Sequence, residues 1–304
     1  MKLVTVGTVA FDDIETPRGR AEKAIGGAAT YIAHSASNFV DSQGIVSVIG
    51  GDFPDIELEE MRSKGIDTGG IEIRKNEKSF FWAGRYHENM NNRDTLITDL
   101  NVLADFNPVL PESFRYAPYL MLGNLTPEIQ MNVLQQMNHR PKIIALDTMN
   151  FWLDVAMESL LAVLMKIDVL MINEEEARQL SGEYSLVKAA QIIHKLGPAY
   201  LIIKKGEHGA MIFHKGQIFS IPALPIAEVV DPTGAGDTFA GGFMGYLAST
   251  ENESFENLKR AMVYASVMSS FCVEEFSLGR VRNVNQADIS ARIRDFENLT
   301  KFTV

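Results

Sequence analysis

Asp231, Pro232, Thr233, Gly234, Ala235, Gly236 and Asp237 stand in succession, with an acid at each end of a run of small residues. An apolar strand end precedes them and a helical pattern follows. Small residues ahead of a helix let backbone N–H groups point outward as a nest, and the helix dipole adds partial positive charge there. Such a place holds anions. Asp237, in the first turn, can simply cap those amides, which is the commoner use of an acid at that position. The Pro-Thr lead, Gly234, Gly236 and the further glycines Gly241, Gly242 and Gly245 on the helix suit a phosphate site instead. In that reading Asp237 takes a proton from a hydroxyl while the amides hold the transferred phosphoryl group.

Three weaker features accompany it. Gly26 and Gly27 stand at the mouth of a helix, where they allow either a ligand close to the backbone or tight packing. Asn173 to Glu176 follow a buried strand directly. Periodicity alone favours an acidic first turn that complements the dipole. The functional alternative places Asn173 and Glu176 near magnesium, at the cleft end of a parallel strand. Lys204, Gly206 and Gly209 lie in a turn that is either charged decoration or a loop touching nucleotide phosphate. The patterns of a P-loop, a dinucleotide fingerprint, a zinc site and an α/β-hydrolase elbow are missing from the sequence. The histidines are dispersed.

These residues need elements to hold them. Strand-length apolar runs at 3–8, 44–51, 119–123, 142–148, 168–173 and 200–206 alternate with helical patterns at 26–39, 56–65, 126–139, 151–167 and 185–197. That alternation predicts an α/β fold with a mostly parallel sheet covered on both faces. Thr126 and Pro127 are start signals for the third of those helices. Residues 210–222 predict a hairpin turning at Lys215 and Gly216. Two stretches, 12–23 and 71–98, break the rhythm and predict a small β-element beside the main sheet. On its second half, alternation puts Phe81, Ala83 and Arg85 on one side and Trp82, Gly84 and Tyr86 on the other. The single Cys272 is expected to be buried in a helix over 257–273, and 288–297 to be a solvated amphipathic helix.

The chain has 304 residues and a net charge of -11. That balance argues against general binding to nucleic acid or an anionic membrane. One cysteine excludes an intrachain disulfide framework. No run approaches the ~20 apolar residues of a membrane-spanning helix. Leu3 to Phe11 runs into Asp12 and Asp13 without a small-residue cleavage site. It reads as a first buried strand, and a cytoplasmic protein is expected.

Taken together, the pattern resembles the ribokinase-like (PfkB) carbohydrate kinases. The segment 231–243 is similar to that family's C-terminal signature, and Gly26-Gly27 to its N-terminal one. Residues 173–182 resemble its N-x-x-E segment and 204–213 its strand-turn-strand. The agreement in order and spacing runs from Leu3 to about Gly279. The resemblance implies a ribokinase-like three-layer α/β/α sandwich over 1–304, with lid segments at about 12–23 and 71–98. It implies ATP-dependent phosphorylation of an alcohol. Asp237 would be the general base, and the amides of Gly234, Ala235 and Gly236 the anion hole. Asn173 and Glu176 would hold magnesium and its waters. Asp12, Gly26 and Gly27 would bind the acceptor, joined by Tyr31 and Arg85. Lys204, Gly206, Gly209 and Thr233 would meet the nucleotide, and Asp231 with Thr233 a monovalent cation such as potassium. A homodimer through the lid is a further expectation of the resemblance.

Ala10 and Tyr31 depart from the ribokinases proper, which carry asparagine at both places. A sugar or polyol is the first acceptor expected. A nucleoside is the rival, favoured by Ala10, Tyr31 and the aromatic lid. An inactive sugar- or nucleotide-binding protein is the non-enzymatic alternative.

Overall fold

The computed structural model describes residues 1–301; residues 302–304 of the expected domain lie outside the described residues. The described residues build two sheets. The larger has nine strands, ordered β13-β12-β11-β10-β9-β8-β1-β4-β5. Its parallel part runs through β11 (Tyr200–Lys204), β10 (Val169–Asn173), β9 (Ile143–Asp147), β8 (Tyr119–Leu122), β1 (Leu3–Val6), β4 (Gln43–Gly50) and β5 (Ile66–Arg74). The antiparallel edge is the hairpin β12 (Ala210–His214) and β13 (Gln217–Ile221). Its turn is the expected pair, Lys215 at φ 45° and Gly216 at φ 79°. Positive φ at both central residues matches the twist of the flanking strands.

Strand alternation sends side chains to two cores. Leu3, Met121, Ala145, Met171 and Ile202 meet α1 (Ala28–Ala36), α8 (Ala235–Thr250) and α9 (Phe255–Cys272) on one face. Val4, Leu120, Leu146, Ile172 and Ile203 meet α3 (Pro127–Gln136), α5 (Met157–Leu164), α6 (Glu174–Ser181) and α7 (Leu186–Ile193) on the other. Three layers result, as the continuous apolar strands require. The Thr126 hydroxyl accepts from the Ile129 amide at 3.2 Å, the expected start of α3. The helix expected over 151–167 is instead two, α4 (Asn150–Val155) and α5, because Ala156 leaves the helical region at φ −138° and ψ 30°. The C-terminal α10 (Gln286–Thr300) buries Ile289 and Phe296. No described helix is long and apolar enough to cross a membrane.

The smaller sheet is ordered β3-β2-β6-β7: β2 (Ala10–Thr16), β3 (Gly19–Gly26), β6 (Phe80–Tyr86) and β7 (Arg93–Asp99). The stretch 71–98 therefore divides. Ile71–Arg74 continue the large sheet opposite Ser47–Gly50, and the small sheet begins again at Phe80. Asp12 is registered with Trp82, and Tyr86 with Arg93. Registered partners share a face of the sheet, so Asp12, Trp82, Tyr86 and Arg93 point the same way.

Candidate active site

Three neighbouring strands end on polar residues after apolar runs: Asp147 on β9, Asn173 on β10 and Lys204 on β11. Carboxyl ends of parallel strands open onto the cleft of such a sheet. Lys204 Nζ lies 2.7 Å from Asp147 Oδ2. Both groups are largely buried, and such a pair holds only while both partners are present. Sequence reasoning missed Asp147; the signal was an acid closing the otherwise apolar Ile-Ile-Ala-Leu run.

Lys204 also meets the signature loop. A Cβ on Gly236 would lie 3.1 Å from Lys204 Nζ. Gly234 takes φ 75°, the left-handed conformation that starts the nest. The first turn bonds Ala235 N to Pro232 O at 3.2 Å and Thr238 N to Gly234 O at 2.7 Å. Among the described residues the amides of Gly234, Gly236 and Asp237 have no such acceptor. The amides without a partner are thus those of Gly234, Gly236 and Asp237, and that of Ala235 is used by the turn.

Acids crowd this place. Burial pushes the Asp237 carboxyl up to about 7, the Asp147 charge adds, and Lys204 and Arg93 oppose. Burial, then Asp147, push Glu176 up to about 7 against Lys204. Asp12 rises to about 8 through burial and the charges of Asp231, Asp237 and Asp13, with Arg93 again opposing. Burial favours loss of the proton on Lys204, but the charges of Asp147, Glu176 and Asp237 outweigh it and hold the ammonium. Asn173 and Glu176 form a capping box: Asn173 N donates to Glu176 Oε2 at 2.8 Å, and Glu176 N to Asn173 Oδ1 at 2.9 Å. The helix-capping reading of this segment is present in the geometry. One oxygen of Glu176 is left for other partners.

Gly26 makes room for Asp12, since a Cβ there would lie 1.9 Å from Asp12 Oδ2. Gly27, at φ 92°, closes on Thr8, whose hydroxyl and carbonyl accept the amides of Ala28 and Ala29 at 2.9 and 3.0 Å. Asp231 is fully buried. Its oxygens accept from Thr233 N at 2.8 Å and Ser277 N at 3.0 Å. Thr233 donates its hydroxyl to Tyr86 at 3.1 Å, joining the small sheet to the loop. At the far tip, Asn91 Oδ1 would stand 3.0 Å from a Cβ on Gly206. The small sheet thus reaches across the cleft from the Thr233 loop to Gly206.

Several expected residues are placed elsewhere. Tyr31 is 1% exposed, packed with Cys272, Leu278 and Val281. A Cβ on Gly234 would meet its ring at 2.5 Å. It props the loop from behind, where an acceptor contact was expected. Arg85 points to the lid face opposite Tyr86, and its Nε pairs with Glu15 at 2.9 Å. It therefore does not reach the acceptor. Gly209 is demanded by packing, with a Cβ only 2.0 Å from Ile221 O. Gly241 and Gly245 admit α1, at 2.2 Å from Ile32 O and 2.8 Å from Ala36 Cα, and Gly242 admits α9. These three serve helix packing rather than phosphate. Arg93 was missed, because its facing depends on strand register; Tyr86 was expected on one face with Trp82, but its bond to Thr233 was not foreseen.

The cleft brings unpartnered amides, a buried lysine and the acids Asp12, Asp147, Glu176 and Asp237 together beneath the small sheet. The model of the "pfkB family carbohydrate kinase" matches residues 2–282. A cytidine kinase of Thermococcus kodakarensis is 31% identical, covering 81% of this chain and 88% of that protein. A nucleoside kinase of Methanothermobacter thermautotrophicus is 27% identical, covering 90% and 89%. The structure of Arabidopsis thaliana ribokinase complexed with ribose and ATP superposes with a TM-score of 0.75 at 21% identity, over 99% of each chain. The chain belongs to the pfkB family of carbohydrate kinases and is an ATP-dependent phosphotransferase with an alcohol acceptor.

Proposed function

We propose that the chain moves the γ-phosphoryl group of ATP to the primary hydroxyl of a nucleoside. The observation that carries this reading is the register of Asp12 with Trp82. It sets a carboxylate for sugar hydroxyls beside an aromatic plane on the inner lid face. The indole lies over Gly84, where a Cβ would come within 2.1 Å of the ring. Aromatic faces stack on bases at about 1–3 kcal/mol each. The cytidine and nucleoside kinases also match most of this chain. A sugar or polyol is the second reading, favoured by the carbohydrate kinase model itself.

In this scheme Asp237 accepts the hydroxyl proton as the acceptor oxygen attacks phosphorus in line. The amides of Gly236 and Asp237, with Lys204 behind them, meet the charge on the phosphoryl oxygens. Asp12 orients the acceptor. Magnesium, when bound with the triphosphate, neutralises charge there. The free oxygen of Glu176, beside Asn173, fits its hydration shell. Asp231, buried with two amide donors and no cationic side chain paired to it among the described residues, fits a monovalent cation together with Thr233. A homodimer through the lid belongs to the same reading, with Leu96 and Ile97 of β7 about half exposed.

The test is ADP release from MgATP, with and without potassium, across nucleosides, sugars and polyols, with Asp237→Asn as control. Turnover with a nucleoside, lost in the control, supports the reading. Turnover with sugars alone replaces it by the second reading. ATP binding without turnover on any acceptor points to the inactive binding protein.

A further inference from the structure

Tyr86 is the last residue of β6, on the face that carries Asp12 and Trp82. It is 6% exposed, and its hydroxyl lies 3.1 Å from that of Thr233. A buried phenol needs a polar partner, and here the partner sits on the signature loop outside the small sheet. Thr233 is held at three points. Its amide donates to Asp231 Oδ1 at 2.8 Å, and its carbonyl accepts from Cys272 Sγ at 3.4 Å. Those two bonds hold the loop from within and from α9. The third, to Tyr86, joins it to the small sheet. The next residue, Gly234, takes φ 75° and begins the set of unpartnered amides. A second bond runs alongside: Thr16 of β2 donates its hydroxyl to Val230 O at 3.0 Å. The element that bears Asp12 is thus tied to the loop on both sides of Asp231, and Tyr86 makes the tie next to the amides.

We propose that Tyr86 is a positioning residue for the transfer: its bond to Thr233 fixes the separation between the acceptor acid on the small sheet and the amides of the signature loop. An acceptor that draws the small sheet down sets Thr233 in place. A nucleotide that orders the loop presents the sheet with its docking point. Each substrate therefore favours the arrangement that the other needs, and by linkage the gain in affinity is the same in either order. Tyr86 exchanges no proton and acts through Thr233. The proposal rests on the kinase reading of the cleft and holds for a nucleoside or a sugar acceptor.

The test uses the full chain, MgADP and whichever acceptor the wild type phosphorylates best. Calorimetric titration gives the acceptor affinity without and with MgADP. In wild type MgADP is expected to tighten acceptor binding at least about fivefold. Tyr86→Phe keeps the buried ring and is expected to lose that gain, while its affinities for MgADP alone and for acceptor alone stay within about threefold of wild type. Thr233→Val is expected to lose the gain as well, and the double variant to lose no more than either single one, because both changes remove one bond. Thr233→Ser retains the hydroxyl and is expected to keep the gain. Thermal melting checks that the variants are folded. The proposal is overturned by the absence of a gain in wild type, by an unchanged gain in Tyr86→Phe, by additive losses in the double variant, or by a Thr233→Ser protein that behaves as Thr233→Val does. If sugars and not nucleosides are turned over, the nucleoside reading fails, and the same titrations with the sugar decide the role of Tyr86.

Discussion

The carboxylate of Asp12 fills the space that a side chain at Gly26 would need, with Oδ2 only 1.9 Å from the position of a Cβ. The glycine and the acid are one device, made by the pairing of β2 with β3. Gly26→Ala should therefore reproduce the effect of Asp12→Ala. Both are expected to raise the acceptor KM at least tenfold and leave the ATP KM within about threefold, given about 1–3 kcal/mol for leaving a buried hydrogen-bonding partner unsatisfied. Steady-state kinetics with each substrate varied checks this. An unchanged acceptor KM in Asp12→Ala removes Asp12 from the pocket.

Asp237→Asn should cost about 10²–10⁴-fold in kcat, the usual range for a positioned acid–base group. Its MgATP affinity should stay near wild type, because the amide nest is main chain. Single-turnover kinetics and nucleotide titration separate the two effects.

The pH dependence follows from the same groups. With the Asp237 carboxyl raised to about 7, kcat/KM should climb as pH rises through about 7, where the base loses its proton. Stability should move the other way. The folded chain holds protons on Asp12 up to about 8 and on Glu176 up to about 7, whereas both are lost near 4 on unfolding. Stability contributed by these groups is complete below pH 4 and declines as pH rises to about 8, by at most about 1.4 kcal/mol per pH unit for each. The melting temperature in the absence of nucleotide should fall between pH 6 and 8.5. Asp12→Asn should flatten that slope; an equally steep slope in the variant refutes the assignment.

Lys204 and Asp147 should behave as a coupled pair. Lys204→Met strands the buried Asp147 charge and should cost about 3–5 kcal/mol, whereas Asp147→Asn should cost less, because Glu176 and Asp237 still face Lys204. The double variant should recover most of it. Denaturant unfolding of the four proteins gives the coupling energy directly.

The sheet was readable because apolar runs of strand length alternate with helical periods, and the signature loop because small residues before a helix have few structural reasons to occur together. Ile71–Arg74 were expected in the lid but belong to the large sheet, since an apolar strand does not state which sheet will pair with it. The lid residues were readable as strands but not as a surface. Whether Arg85 or Arg93 faces the cleft depends on register and on the irregularity opposite Ala83 and Gly84, which no local pattern encodes. Tyr31 misled for a similar reason: its position along the chain suggested an acceptor contact, and the depth of α1 made it a prop.

The tight seats of Gly241, Gly242 and Gly245 against α1 and α9 separate two kinds of inheritance within one short motif. The glycines on the helix answer to the architecture: a methyl group at 241 or 245 would collide with α1, and one at 242 would press on α9. Asp237, under the proposed mechanism, answers to the reaction. A descendant that abandoned catalysis would be free to exchange the acid but bound to keep the glycines. Spelling along this helix therefore identifies ancestry first, and if Asp237 is the base as proposed, the letter at 237 is where an active enzyme can be told from a silent relative.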